Sequence, residues 1–154
     1  MLDTGSTDRT PDIVRELLGP LPGELCQAPF VDFASSRNLA LDRCGQESEF
    51  ILWLDADDEL VGGEALRRFL EAERGRMEGD REAYYLRVEM GISFDSARVL
   101  RSAAGWRFVG TVHEVLTKPG QPPPVHRIDG VGIRHHLVEI SAERSRARWE
   151  RDVA

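Results

Sequence analysis

The sequence predicts an α/β domain built on a mixed central sheet flanked by helices, and three observations carry that expectation. The run Phe50-Ile51-Leu52-Trp53-Leu54 is continuously apolar, the pattern of a strand buried on both faces, and it breaks abruptly into Asp55-Ala56-Asp57-Asp58-Glu59. Segments with helical period lie before and after it. From Tyr84 onward, short runs rich in β-branched and aromatic residues follow one another.

At 154 residues and 17.3 kDa the chain suits one domain with a real core. We read residues 1–154 as a single domain, with a nucleotide-site half at 1–80, a β-rich half at 81–140 and a helix at 141–154. A net charge of -7 and a pI near 5.1 argue against a broad grip on nucleic acid, which needs a basic surface. Cys26 and Cys44 lack CxxC spacing, so neither a disulfide framework nor a zinc knuckle is indicated, and they read as buried or incidental thiols of a reducing compartment. No apolar run approaches the length that spans a bilayer. The expected location is cytoplasmic, or peripheral at the inner membrane face.

The elements follow in order. Thr10 to Gly19 reads as a helix with Thr10 as cap, Pro11 in the first turn and an apolar stripe of Ile13, Val14, Leu17 and Leu18; Gly19-Pro20 stops it. A short extended piece is expected within Glu24 to Phe30. A second helix covers Ala34 to Arg43, capped by Asp32. After the strand Phe50 to Leu54, Gly62-Gly63 opens a helix from Glu64 to Arg74 whose Ala65, Leu66, Phe69 and Leu70 face the sheet. Strands are expected over Tyr84 to Met90, Ala97 to Arg101, Arg107 to Val109, Thr111 to Leu116 and Val131 to His135. Pro122 to Pro124 is a rigid loop, and Ser141 to Val153 a charged helix anchored by Trp149.

Successive side chains of a strand alternate, so Asp55 and Asp57 converge where the strand leaves the sheet, the place where open α/β sheets hold ligands. Two carboxylates at that spacing repel unless a cation matches them, and hard oxygen donors suit Mg²⁺ or Mn²⁺. The competing reading is a solvated polar turn. A calcium loop is disfavoured by Leu60 where glycine is required, and an Asp55-nucleophile phosphatase lacks its later lysine and acid.

The set Asp3-Thr4-Gly5-Ser6-Thr7-Asp8, Phe33-Ala34-Ser35-Ser36-Arg37-Asn38-Leu39-Ala40 and Trp53-Leu54-Asp55-Ala56-Asp57-Asp58 resembles the family 2 glycosyltransferases of GT-A fold. The likeness continues through Ala97 to Arg101, Trp106, Gly110-Thr111-Val112-His113-Glu114 and Ile133-Arg134-His135-His136, to about residue 140. The resemblance implies a GT-A-like fold in which the usual first strand and its nucleotide-binding segment are absent, which leaves an exposed sheet edge. A second departure is Leu137, where the family's histidine motif carries glycine.

What the resemblance implies about residues is specific. Asp3 helps hold the base or ribose, with Asp8 in the same loop, and Arg37 and Asn38 lie beside the donor. Asp55 and Asp57 hold the divalent cation and the diphosphate, and His135 completes the metal environment, although neighbouring sequence does not separate it from His136. Glu114 is the candidate catalytic base. Trp106 is a sugar-facing or core aromatic, and His113 shapes the pocket. Asn38 is expected to brace the Asp3 loop, and one of Arg98 and Arg101 to support the acids while the other faces solvent.

The implied activity is transfer of a sugar from a nucleotide-diphosphate donor to an acceptor hydroxyl, assisted by Mn²⁺ or Mg²⁺ and inverting. The alternative from another class is an inactive GT-A-like domain acting in assembly or regulation. Expected partners are the donor, a hydroxyl acceptor and a second copy covering the sheet edge, with no nucleic acid and no integral membrane segment.

Overall fold

The computed structural model describes residues 1–44, 48–76, 81–111, 113–120 and 126–136. The expected loop at Pro122–Pro124, Leu137 and the expected helix from Ser141 lie outside the described residues.

The chain opens with β1 (Leu2–Asp3), helix α1 (Thr10–Leu18) and β2 (Cys26–Gln27), and β1 and β2 pair in parallel as a two-stranded sheet of their own. Helix α1 starts where Pro11 predicts, but Thr10 is its first residue and not its cap: the Asp8 carboxylate accepts the Thr10 N–H at 2.9 Å. Its apolar stripe is largely uncovered. Val14 is buried, whereas Ile13 and Leu17 are exposed.

Helix α2 (Phe33–Cys44) is capped as expected, with Asp32 Oδ1 accepting the Ser35 N–H at 2.7 Å. Cys44, at its end, is exposed. Strand β3 (Phe50–Leu52) is shorter than the apolar run and only half-buried. It pairs antiparallel with β6 (Ile92–Arg101), and its other edge carries no strand among the described residues, so it is not the strand buried on both faces that the sequence predicts.

The largest sheet has the order β3-β6-β5-β9-β4, with β4 at Asp58–Val61, β5 at Ala83–Met90 and β9 at His126–His135. Only the β5–β9 pair is parallel, so the sheet is mixed as predicted. It draws strands from both halves of the chain, because β3 and β4 precede residue 80 and the other three follow it. Two features escape the sequence pattern. Strand β4 begins within the acidic run, and β9 starts at His126, five residues before the expected Val131, and continues through Asp129-Gly130, a pair with the composition of a turn. Gly130 has φ 74°, and the register moves from Tyr85↔Arg127 to Arg87↔Gly132, so these residues form a bulge within one strand.

Helix α3 (Gly63–Glu73) packs on β9. Its cap, Gly62, has φ 80°, and a Cβ there would sit 2.3 Å from the Gly130 carbonyl oxygen, so only glycine permits this approach. Leu66 joins Tyr84, Leu86, Val88, Val99 and Ile133 in one core cluster. A second cluster places Trp106 and Phe108 against Ala34, Leu41, Ala83 and Leu100. The β7 (Arg107–Val109) and β8 (Val115–Thr117) ribbon supplies Phe108 and contacts α2.

Glu73 closes α3 as a buried acid, 3% exposed. It accepts from Tyr84 Oη at 3.1 Å, Arg81 Nη1 at 3.0 Å and Arg76 Nη1 at 3.1 Å. Burial pushes its pKa up, but these bonds and the arginine charges outweigh it, so the carboxyl lies below its ordinary value. An unfolded glutamate titrates near ~4.3, so this contribution is complete above that pH and is lost as pH falls through the lower folded value. Urea titrations across the acid range are expected to show a shallower loss of stability for Glu73→Gln than for the wild type. Parallel acid limbs would contradict this.

Candidate functional site

The site forms where β3 ends and the chain turns into β4. Asp58 N donates to the Asp55 carbonyl at 3.1 Å, and the Asp55 N–H donates back to Asp58 Oδ2 at 3.0 Å, a reciprocal pair that closes a tight acidic turn. This turn shortens β3 and starts β4 within the run of acids. Strand β4 pairs with β9 in the register Asp58↔His135, which brings a histidine 77 positions away to the same place.

Asp57, Asp58 and His135 offer ligand atoms that lie within 4.8 Å of one another. His135 Nδ1 is 2.9 Å from Asp58 Oδ1, and His135 Nε2 is 3.4 Å from Asp57 Oδ2. His136 turns outward to Glu59, with Nε2 2.9 Å from Oε2, while its backbone N–H holds the Asp57 carbonyl at 2.8 Å. The register therefore separates two histidines that the sequence leaves equivalent.

Asp55 takes a different set of partners. Arg37 Nη2 donates to both of its oxygens, at 2.9 and 3.0 Å, and Arg98 Nη1 lies 3.6 Å away. The other terminal nitrogen of Arg37 is paired to Glu114. One guanidinium thus bridges the acidic turn to the expected base. Both guanidiniums lie within cation–π range of Trp53, with Cζ 3.8 Å from the ring centroid for Arg98 and 4.7 Å for Arg37. The Trp53 indole N–H is anchored on the Ala97 carbonyl at 2.8 Å.

Arg98 is 6% exposed and donates to Asp58 Oδ2 at 2.9 Å. Burial pulls its pKa below the ordinary range, Asp58 and Asp55 hold it up, and the Arg37 charge pushes it down again. Arg101, three residues on, points to the other side of the sheet. There it is also buried, bonded to Glu49, the Glu73 carbonyl and the Arg81 carbonyl, so neither arginine faces solvent.

Beside the acids opens a cavity of about 370 Å³, lined by Arg37, Trp53, Tyr85, Asp95, Phe108 and Glu114 among others. A larger one of about 560 Å³ lies between α3 and the Ser48–Phe50 segment, and none of the expected site residues lines it. The smaller cavity is the functional candidate, because Arg37, Arg98 and Glu114 converge in its lining.

The remaining expected residues lie apart from this cluster. Asp3 is buried at the end of β1, where Ser6 N donates to it at 3.1 Å and Gln27 Nε2 at 3.0 Å, and these bonds lower its pKa against the opposing effect of burial. Asp8 accepts the Thr10 N–H just ahead of α1, and the Thr10 bonds lower its pKa. Asn38 grips Phe108 through two bonds, donating to its carbonyl at 2.8 Å and accepting its N–H at 2.9 Å. It braces β7 against α2 and does not reach the Asp3 loop. Trp106 is core, 4% exposed. His113 is exposed, with a left-handed φ of 57°. Sequence reasoning treated Trp53 as core and gave Asp58 no role. The signal for Asp58 was its place in the same acidic run.

No curated protein matches the chain. Residues 1–76 match the model of glycosyl transferase family 2, a match that takes in the Asp3 to Asp8 loop, α2 and the acidic turn and stops short of residue 140, where the motif resemblance ends. Over residues 1–76 the chain is therefore similar to glycosyl transferase family 2, and with a mixed sheet flanked by α2 and α3 its fold is GT-A-like.

Proposed function

We propose that this chain transfers a sugar from a nucleotide-diphosphate donor to an acceptor hydroxyl, with inversion. The observation that carries the reading is that Arg37, Arg98 and Glu114 line one cavity, that Arg37 ties Glu114 to Asp55, and that the acidic turn begun by Asp55 also carries the Asp57–Asp58–His135 cluster.

The donor set fits a divalent cation, since two carboxylates and an imidazole within ligand reach suit Mn²⁺ or Mg²⁺. Asp57 and His135 would hold it, and when bound it would offset charge on the departing diphosphate. Asp55 is committed to Arg37 and Arg98, and its part is to fix those guanidiniums beside the phosphate path.

Glu114 accepts the proton of the acceptor hydroxyl as that oxygen attacks the anomeric carbon, while the bond from that carbon to the diphosphate oxygen breaks on the opposite face. Its carboxylate is 14% exposed, so enclosure limits competition from water. The aromatic side chains Trp53, Tyr85 and Phe108 in the lining give the acceptor apolar contact area. Among the described residues no helix is long and apolar enough to cross a membrane.

Calorimetry with UDP and other nucleoside diphosphates, each with Mn²⁺, Mg²⁺ or chelator, tests the reading. Binding should require the cation and fall at least ~10-fold in Asp57→Ala. A folded chain that binds neither nucleotide nor ion would return the assembly or regulatory alternative.

A further inference from the structure

Asp58 is the most enclosed acid of the site, its side chain 0% exposed, and both of its oxygens are already occupied. Oδ2 accepts from Arg98 Nη1 at 2.9 Å and from the Asp55 N–H at 3.0 Å. Oδ1 lies 2.9 Å from His135 Nδ1. With two donors already on Oδ2, Asp58 meets the ring through Oδ1 as an acceptor. The proton in the Asp58–His135 contact therefore belongs to Nδ1. In a neutral imidazole that leaves Nε2 with its lone pair, and Nε2 faces Asp57 Oδ2 at 3.4 Å. Two acceptors turned toward each other form a seat for a cation.

We propose that Asp58 is a positioning residue that selects the Nδ1–H tautomer of His135 and so aims the Nε2 lone pair at the gap beside Asp57. This rests on the cation-assisted reading above and deepens it: the third acid of the turn orients a ligand, and the ligands are Asp57 and His135. Arg98 acts one step further back by holding Oδ2, which leaves Oδ1 turned to the ring. The arrangement is the carboxylate–histidine support that orients metal-ligating imidazoles.

The test is long-range proton–nitrogen NMR on the full chain with nitrogen-15 histidine, metal-free at about pH 8, where an ordinary imidazole is neutral. His135 is assigned from the spectrum of His135→Gln. The wild type is expected to show the Nδ1–H pattern, and a dominant Nε2–H pattern overturns the proposal.

In Asp58→Asn the side-chain oxygen stays with Arg98 and the Asp55 N–H, so the amide NH₂ faces the ring. The expected result is inversion to the Nε2–H tautomer, with Mn²⁺ affinity falling ~10–100-fold. Asp57→Asn should weaken Mn²⁺ and leave the tautomer unchanged. Asp58→Asn with the wild-type tautomer and wild-type Mn²⁺ affinity would also overturn the proposal, and should that variant not fold, the wild-type tautomer decides. A wild type with the Nδ1–H pattern and no Mn²⁺ binding would remove the cation-assisted function and leave the tautomer selection standing.

Discussion

Arg98→Ala is expected to lower the unfolding free energy by about 3–5 kcal/mol, the cost of breaking a buried ion pair from one side. The variant strands the wholly enclosed Asp58 carboxylate, which would keep only the Asp55 N–H and the His135 ring as partners. It also removes the guanidinium stacked 3.8 Å from the Trp53 centroid and opens a hollow beneath that ring. Urea unfolding followed by Trp fluorescence measures the loss. A second comparison isolates its cause, because the pair variant Arg98→Met with Asp58→Leu removes both charges and should recover much of the stability. A single variant within ~1 kcal/mol of wild type would mean that the Arg98–Asp58 pair does not hold the turn.

Glu114→Gln should slow transfer by ~10²–10⁴-fold, the usual contribution of a positioned general base, while nucleotide affinity changes little. Glutamine keeps the length of the side chain, and its carbonyl still accepts from Arg37, so the bridge to Asp55 survives. What it lacks is an oxygen basic enough to take the acceptor proton. Single-turnover transfer, with a donor and acceptor for which the wild type is active, separates this loss from binding. Undiminished transfer would remove Glu114 as the base. A parallel collapse of nucleotide binding would instead give it a structural role through Arg37.

Local chemistry reads directly from the chain. Pro11, the Asp32 cap and the Gly62-Gly63 opening each act within a few residues, and helices α1, α2 and α3 begin within a residue of where they point. Strands β5 and β7 were legible for the same reason, since runs rich in β-branched and aromatic residues carry their own period, whereas the strand expected over Thr111 to Leu116 is β8 at Val115–Thr117, and β6 reaches back from Ala97 to Ile92. The extent of β9 was not legible, because Asp129-Gly130 has the composition of a turn whether the chain reverses there or bulges within a strand. Strand β3 misled in another way. A continuous apolar run records that a segment is covered, without recording whether strands or a packed helix do the covering.

The acidic turn was visible in the sequence as a concentration of charge needing a partner, and the motif resemblance placed a cation there. Which carboxylate does what depends on partners far along the chain. His135 meets Asp58 across 77 positions and Arg98 meets it across 40, and Arg37 reaches Asp55 across 18 before spanning to Glu114. Spacing along a strand put Asp55 and Asp57 on one side as a pair, whereas the turn that closes between Asp55 and Asp58 breaks that alternation. It hands Asp55 to the arginines and leaves Asp57 facing the histidine. By itself, then, the sequence determined helices α1 to α3, strands β5 and β7 and the place where charge would collect, because those depend on neighbours in the chain. The tertiary structure alone assigned each charge its partner, because strand register decides which side chains from distant segments come within a hydrogen bond of one another.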